Sequence, residues 1–473
     1  MKKTFLLLCL CLIAGTTLWA QKPKYIFYFI GDGMGLNQVQ ATEYYQGELA
    51  GEIKTVPLLF SGFPYQGFAS TYSATNGVTD SAAGGTALAT GHKTRNGAIG
   101  MLKDLTTPIY SVAVWAKEMG MRIGIATSVS VDHATPASFY AHVPKRNNYF
   151  EIGQDLYKTG FDFYAGSDFL KPTKEIKGAT ENLYTRADQE GYTIARGYTD
   201  YVKKAPKASK MILLQTEAAS RLDNSSIPFA IDRKEGDISL EEITRAGIDF
   251  LSKDLSQGFF FMVEGGKIDW SCHSNDAATT IHEVMDLDKA IRIAYEFYEK
   301  YPEETLIVVT ADHETGGLAL GSGPYALNLK ALQHQKISEY AFTRLLNNLR
   351  EQQKGEVSWE MVKDLLTQHF GFWKELKLTE DQEEDLKETY DKTFGENAQK
   401  MESSEYYKTE FIAAEAKKIM SQIALLTWGS GGHSAGYVPV YAIGKGAQVF
   451  SGKMENIDIP HRIATLAGFK TKE

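Results

Sequence analysis

Cysteine is scarce in this chain, with 3 among 473 residues. Cys9 and Cys11 fall in an apolar stretch at the N-terminus, which leaves Cys272 alone in the body of the chain, so no disulfide can form within it. An excess of positive charge is also missing: 50 Lys and Arg against 59 Asp and Glu give a formal net charge of -9. That balance argues against a broad nucleic-acid-binding face, while leaving room for a local basic pocket. After residue 20 there is no apolar run long enough to cross a bilayer, no internal repeat and no low-complexity tract.

The N-terminal stretch has the build of an export signal. Lys2 and Lys3 supply charge, Phe5–Ile13 is an apolar core too short to span a membrane, and Ala20 before Gln21 suits cleavage. Residues 1–20 are therefore expected to direct export to the periplasm or the medium, with no stable membrane span afterwards. The competing reading is a short membrane anchor. An exported protein without disulfides is held by core packing or by metals. With 43% hydrophobic residues the chain can build a sizeable core, and its length suits two domains or one domain with a large insertion.

Short apolar runs at Tyr25–Ile30, Arg122–Ala126, Phe259–Val263, Leu306–Thr310 and Val438–Ile443 predict buried strands. Helical stretches such as Ser111–Met119 and Ile281–Tyr298 lie between them. This alternation predicts an α/β fold, a largely parallel central sheet flanked by helices. In such folds ligands sit beyond the carboxyl ends of the strands. The residues found there are Asp32 after the first run, His133 and Thr135 after the second, Glu264, Asp269 and His273 after the third, and Asp312 and His313 after the fourth. His433 reverses the polarity, because it precedes its run.

Residues 324–426 differ in texture, being polar and helical. Ile337, Ala341, Leu345 and Leu349 recur at helical spacing, Thr379 and Gln382 make a capping box, and Ile412, Ala416, Ile419, Met420 and Ile423 form a second stripe. This block reads as a helical insertion between a first catalytic part, 21–323, and a last part, 427–473. A lid and a purely structural insertion are both open.

The segment Thr79-Asp80-Ser81-Ala82-Ala83-Gly84-Gly85 reads as the start of a closely packed helix. Its N–H groups and positive end would cradle a phosphate beside Ser81; alternatively Ser81 or Asp80 only caps the helix. Asp269 and His273, four apart, face one way on a helix, and Asp312-His313 can send two ligands to one ion. Carboxylate together with imidazole suits zinc. Any one of these pairs is commonly structural, but several of them beside strand ends form a pattern.

The segments Ile30-Gly31-Asp32-Gly33-Met34-Gly35, Asp80-Ser81-Ala82-Ala83, His133-Ala134-Thr135-Pro136, Val263-Glu264-Gly265, Ile268-Asp269, Thr310-Ala311-Asp312-His313-Glu314-Thr315-Gly316-Gly317 and Gly432-His433-Ser434 resemble, in order, the motif set of alkaline phosphatases. The resemblance implies hydrolysis of phosphate monoesters through a phosphoserine on Ser81. It implies one zinc held by Asp269, His273 and His433, and a second held by Asp32, Asp312 and His313. A third site, usually magnesium, would be shared by Asp32 and completed by Thr135 and Glu264. Arg146 matches the family's phosphate-clamping arginine, and a planar guanidinium suits two phosphate oxygens.

Three positions depart from the pattern. His133 stands behind the ligands where some bacterial members have Asp, which leaves the identity and occupancy of the third metal open. Trp270 stands where relatives often place Lys or His near the phosphate, and Gly436 replaces a common Glu. Cys272, between Ser271 and His273, is expected to pack rather than to ligate. The partners expected are small-molecule phosphate monoesters, with no nucleic acid and with a homodimer possible. The rival readings are a phosphodiesterase or sulfatase of the same superfamily and a phosphate-binding protein without turnover.

Overall fold

The computed structural model describes residues 22–396, 398–403 and 406–471; the export-signal reading of 1–20 lies outside these residues. A ten-stranded sheet forms the centre. In chain order its strands are β1 (Tyr25–Gly31), β2 (Tyr65–Ser70), β3 (Arg122–Thr127), β4 (Phe163–Gly166), β5 (Tyr192–Arg196), β6 (Lys210–Leu214), β7 (Phe259–Gly265), β8 (Thr305–Thr310), β9 (Val438–Gly444) and β10 (Gly452–Glu455). Across the sheet the order is β10-β2-β9-β8-β1-β7-β3-β4-β6-β5. The five predicted runs all become strands of this sheet, four extended by one residue at one end and Phe259–Val263 by two.

Every residue of β1, β7 and β8 is buried. Their near-continuous apolar sequences suit strands with a helical layer on each face, as in parallel sheets. All adjacent pairs from β8 through β5 are parallel, whereas β9 runs antiparallel to both β8 and β2. This explains the reversed polarity of His433. The beginning of an antiparallel strand lies at the same sheet edge as the ends of its parallel neighbours.

Beside the sheet run α1 (Ser81–Thr90), α2 (Val112–Glu118), α3 (Lys267–His273) and α4 (Ala277–Lys300). Further on, α5 (Glu339–Gln352), α6 (Trp359–Phe370), α7 (Glu380–Phe394) and α8 (Phe411–Ile423) pack around a second apolar cluster. Ala41, Tyr45, Ala277, Ala278 and Ile281 also belong to that cluster, so the helical block shares a core with the body of the molecule. The capping box of Thr379 and Gln382 forms at the start of α7.

The first stripe of this block is displaced from its expected place. Ile337, Ala341, Leu345 and Leu349 are half-buried, and the seam falls on Phe342 and Leu346. Ser338 caps α5, so Ile337 precedes the helix, and the apolar arc is wide enough to be read along its flank. In α8, Ile412, Ala416, Ile419 and Met420 are buried as expected.

Candidate active site and metal centre

All the predicted residues gather at one edge of the sheet. Asp32 leaves β1 and its N–H donates to Gly265 O at 3.3 Å. The turn needs Gly33: its φ is +71°, and an added Cβ would lie 2.9 Å from Asp269 Oδ1. Glu264 lies on β7, Asp269 and His273 on α3, and Thr135 on a single helical turn, Ala134–Ala137. Asp312 and His313 follow β8. A two-residue pairing of Glu314–Thr315 with His433–Ser434 then brings His433 alongside, its ring stacked on that of His313 at 3.6 Å.

The start of α1 resolves the ambiguity at Ser81. Asp80 is the cap: its Oδ1 accepts from Ala83 N at 3.0 Å. Its Oδ2 accepts from Gly97 N at 3.0 Å and from the Arg146 guanidinium at 3.2 Å. Asp80 therefore anchors both the helix and the arginine, and leaves Ser81 Oγ free of capping, 3.2 Å from His313 Nε2. Gly84 and Gly85 let α1 approach this closely, because a Cβ on them would meet Asp312 O and Ser138 Oγ, each at 2.9 Å.

The imidazoles are oriented alike. His273 Nδ1 lies 2.6 Å from Gly431 O and His433 Nδ1 lies 2.8 Å from Thr79 O. A carbonyl oxygen only accepts, so in each ring the proton sits on Nδ1 and the lone pair on Nε2. His313 Nδ1 lies 3.2 Å from Thr315 Oγ1, whose hydroxyl in turn donates to Asp269 Oδ1 at 2.6 Å. That fixes the same tautomer. The Nε2 lone pairs of His273 and His433 then face each other across 3.1 Å, with Asp269 Oδ1 at 3.4 and 3.6 Å.

A second group has His313 Nε2 3.4 Å from Asp32 Oδ1 and 3.2 Å from Asp312 Oδ2. A third brings Asp32, His133 and Glu264 within mutual reach of one ion, with Thr135 Oγ1 3.2 Å from Asp32 Oδ2. His133, expected behind the ligands, also lies within reach of this third cluster.

The electrostatics of these clusters favour a bound cation. Asp32, Glu264, Asp269 and Asp312 are all fully buried. Among the described residues, Asp32 Oδ1, Asp312 Oδ2 and Glu264 Oε1 have no hydrogen-bond partner. Burial, and then the neighbouring carboxylates Asp312, Asp269 and Glu264, push the Asp32 pKa well up, with Arg146 opposing. Burial lifts Glu264 to about 7 and Asp312 to about 8. Burial, followed by Arg146, depresses His133 to about 3, which keeps it neutral. Converging lone pairs and unpartnered buried oxygens are the donor set of a divalent ion, and mixed N/O ligation suits zinc.

The sequence pattern of the family described as alkaline phosphatase matches residues 23–166 and 173–469. The chain belongs to the alkaline phosphatase family. Alkaline phosphatase 3 of Bacillus subtilis is 29% identical over 449 residues, 93% of this chain and 88% of that one. Alkaline phosphatase 4 of Drosophila melanogaster is 33% identical over 62% of this chain, a match that spans 56% of the fly protein. Among solved structures, the cold-active alkaline phosphatase of Shewanella sp. superposes with a TM-score of 0.77 at 27% identity, covering 94% of this chain and 99% of that one. A His-to-Asp variant of the TAB5 alkaline phosphatase, which has Mg bound in its M3 site, gives 0.66 at 28% identity over 96% and 100%.

For a member of the alkaline phosphatase family, the wall of this site holds a residue that sequence reasoning missed. Tyr406 stacks on Trp270 with centroids 4.4 Å apart and donates its hydroxyl to Asp269 Oδ2 at 3.1 Å. It lies 137 residues from Asp269 in a polar segment, and no spacing signals it. Thr315 was part of a quoted motif, but its role in orienting His313 shows only in three dimensions. Cys272 is buried near Gln38 and Thr280 and belongs to none of the ligand groups.

Proposed function

We propose that this alkaline phosphatase hydrolyses phosphate monoesters in two displacements, with Ser81 as the nucleophile. Asp269, His273 and His433 would hold one zinc and Asp32, Asp312 and His313 a second, with a third divalent ion at Asp32, Thr135 and Glu264, the family's usual magnesium site. The ions, when bound, supply a lowered serine pKa and charge neutralisation at the entering and leaving oxygens. Arg146, held by Asp80, binds two phosphate oxygens and aligns phosphorus with Ser81 Oγ. The serine oxygen, having lost its proton, forms the new P–O bond while the ester P–O bond breaks and the alcohol leaves. Water then attacks the phosphoserine, the bond to Ser81 Oγ breaks, and inorganic phosphate departs.

The observation that carries this reading is Ser81 Oγ standing 3.2 Å from His313 Nε2, uncapped, at a helix N-terminus beside Arg146. For the third ion, His133 adds nitrogen to an otherwise oxygen-rich set, which favours zinc over magnesium relative to a site with Asp there. The guanidinium favours a monoester dianion over a diester, which offers one fewer free oxygen. We further propose export through residues 1–20, removal of that signal, and a homodimeric assembly. The test is metal analysis of the purified protein together with turnover of an aryl phosphate, a bis-aryl phosphate and an aryl sulfate. Monoester turnover that stops on chelation is expected, whereas a preference for the diester or sulfate would overturn the assignment.

A further inference from the structure

We propose that Tyr406 is a positioning residue of the metal centre, holding the Asp269 carboxylate so that Oδ1 alone faces the ion. This rests on the reading of Asp269, His273 and His433 as a zinc site.

The two oxygens of Asp269 have different surroundings. Oδ1 points to the imidazole nitrogens of His273 and His433, at 3.4 and 3.6 Å, and accepts from the Thr315 hydroxyl. Oδ2 points away and accepts from the Tyr406 hydroxyl at 3.1 Å. Rotation of the carboxylate that exchanged its oxygens or presented both to the ion would break this bond. The ring is itself fixed: it stacks on Trp270 at an interplanar angle of 10° and meets His273 edge-on at 5.3 Å. Hydrogen bonds behind metal ligands set ligand orientation in this way, and their loss costs about 10–100-fold in metal affinity.

The helical block that carries Tyr406 is tied to the site independently. Lys417 on α8 donates to Ser274 O, next to His273, and pairs with buried Glu339 at 3.4 Å. Asp276 accepts from Gln335 Nε2 at 2.8 Å and from Glu339 N at 3.0 Å. The helical block thus grips residues 274–276 as well as reaching Asp269. A residue from the later part of this block thereby joins the ion's surroundings, and neither the spacing nor the sequence motifs assign it that part.

The experiment compares Tyr406→Phe, which keeps the stack and loses the hydroxyl, with Tyr406→Leu, which loses both. Zinc affinity is measured by competition with a chromogenic chelator, alongside kcat and KM for an aryl phosphate and the melting temperature of the chelated protein. Tyr406→Phe should weaken one zinc equivalent by about tenfold. The other equivalent and the melting temperature without metal should stay unchanged, since a role in fold alone would lower that temperature. Wild-type affinity for both equivalents in Tyr406→Phe overturns the proposal, as does an equal loss from both. If the wild-type protein binds no zinc, the metal reading fails first and this inference falls with it.

Discussion

His273 Nε2 and His433 Nε2 lie 3.1 Å apart across 160 residues of sequence, each with its other ring nitrogen donating to a main-chain carbonyl. Two lone pairs so placed repel unless a cation lies between them. Chelation should therefore lower the melting temperature, and added zinc should restore it. An ion at a thousand times its Kd contributes about 4 kcal/mol to stability. His433→Ala should abolish that restoration at one zinc equivalent, as read by calorimetry with metal analysis. An unchanged melting curve in chelator would contradict it.

Ser81, the proposed nucleophile, is left uncapped because Asp80 does the capping. Ser81→Ala should leave the fold and metal content intact. Turnover of an aryl phosphate should fall on the order of a thousandfold or more, as removal of a nucleophile does. Acid-quenched mixtures with labelled phosphate should show a phosphoprotein for the wild type and none for the variant. Label retained in the variant would place the covalent step elsewhere.

Arg146 is held at 3.2 Å from Asp80 Oδ2, with its other terminal nitrogen 3.4 Å from His133 Nε2. Arg146→Lys should cost roughly 1.5–3 kcal/mol in kcat/KM, the value of hydrogen bonds to a charged group, because an ammonium does not reproduce the planar fork. Competitive inhibition by inorganic phosphate should weaken in parallel. If phosphate still inhibits at the wild-type level, Arg146 does not bind it.

Glu264 and Asp312, with ordinary values of 4.5 and 3.8, are raised by burial to about 7 and about 8. In the folded, chelated protein these groups keep protons that the unfolded chain has already released. Their stabilising contribution is complete below the ordinary carboxyl range and declines as pH rises toward 8. Melting temperatures in chelator should therefore fall from about pH 7 to pH 8, above the ordinary imidazole value of 6.5 at which the neutral-held His133 opposes the trend, and excess zinc should flatten it. A rise over that interval would show that other groups dominate.

Much of the architecture was legible because buried parallel strands write themselves as continuous apolar runs, as β1, β7 and β8 do. The ligand candidates were legible because strand ends are where such sheets place function, and Asp32, Glu264, Asp312 and His313 sit there. The stripe of α5 lies on the flank of the buried seam at Phe342 and Leu346, since a broad apolar arc does not show which edge meets the core most deeply. Tyr406 was invisible: an aromatic in a polar helical block carries no local mark of its destination.

The sequence by itself determined which chemistry was available, because carboxylates, imidazoles, a serine and an arginine are properties of residues in their order. It also determined the strands, because burial on two faces is a local demand on composition. Only the tertiary structure decided which lone pairs converge, that Asp80 rather than Ser81 caps α1, and that β9 turns His433 back to the common edge. These are outcomes of packing between segments hundreds of residues apart, where distance and direction in space, rather than spacing along the chain, set the interaction.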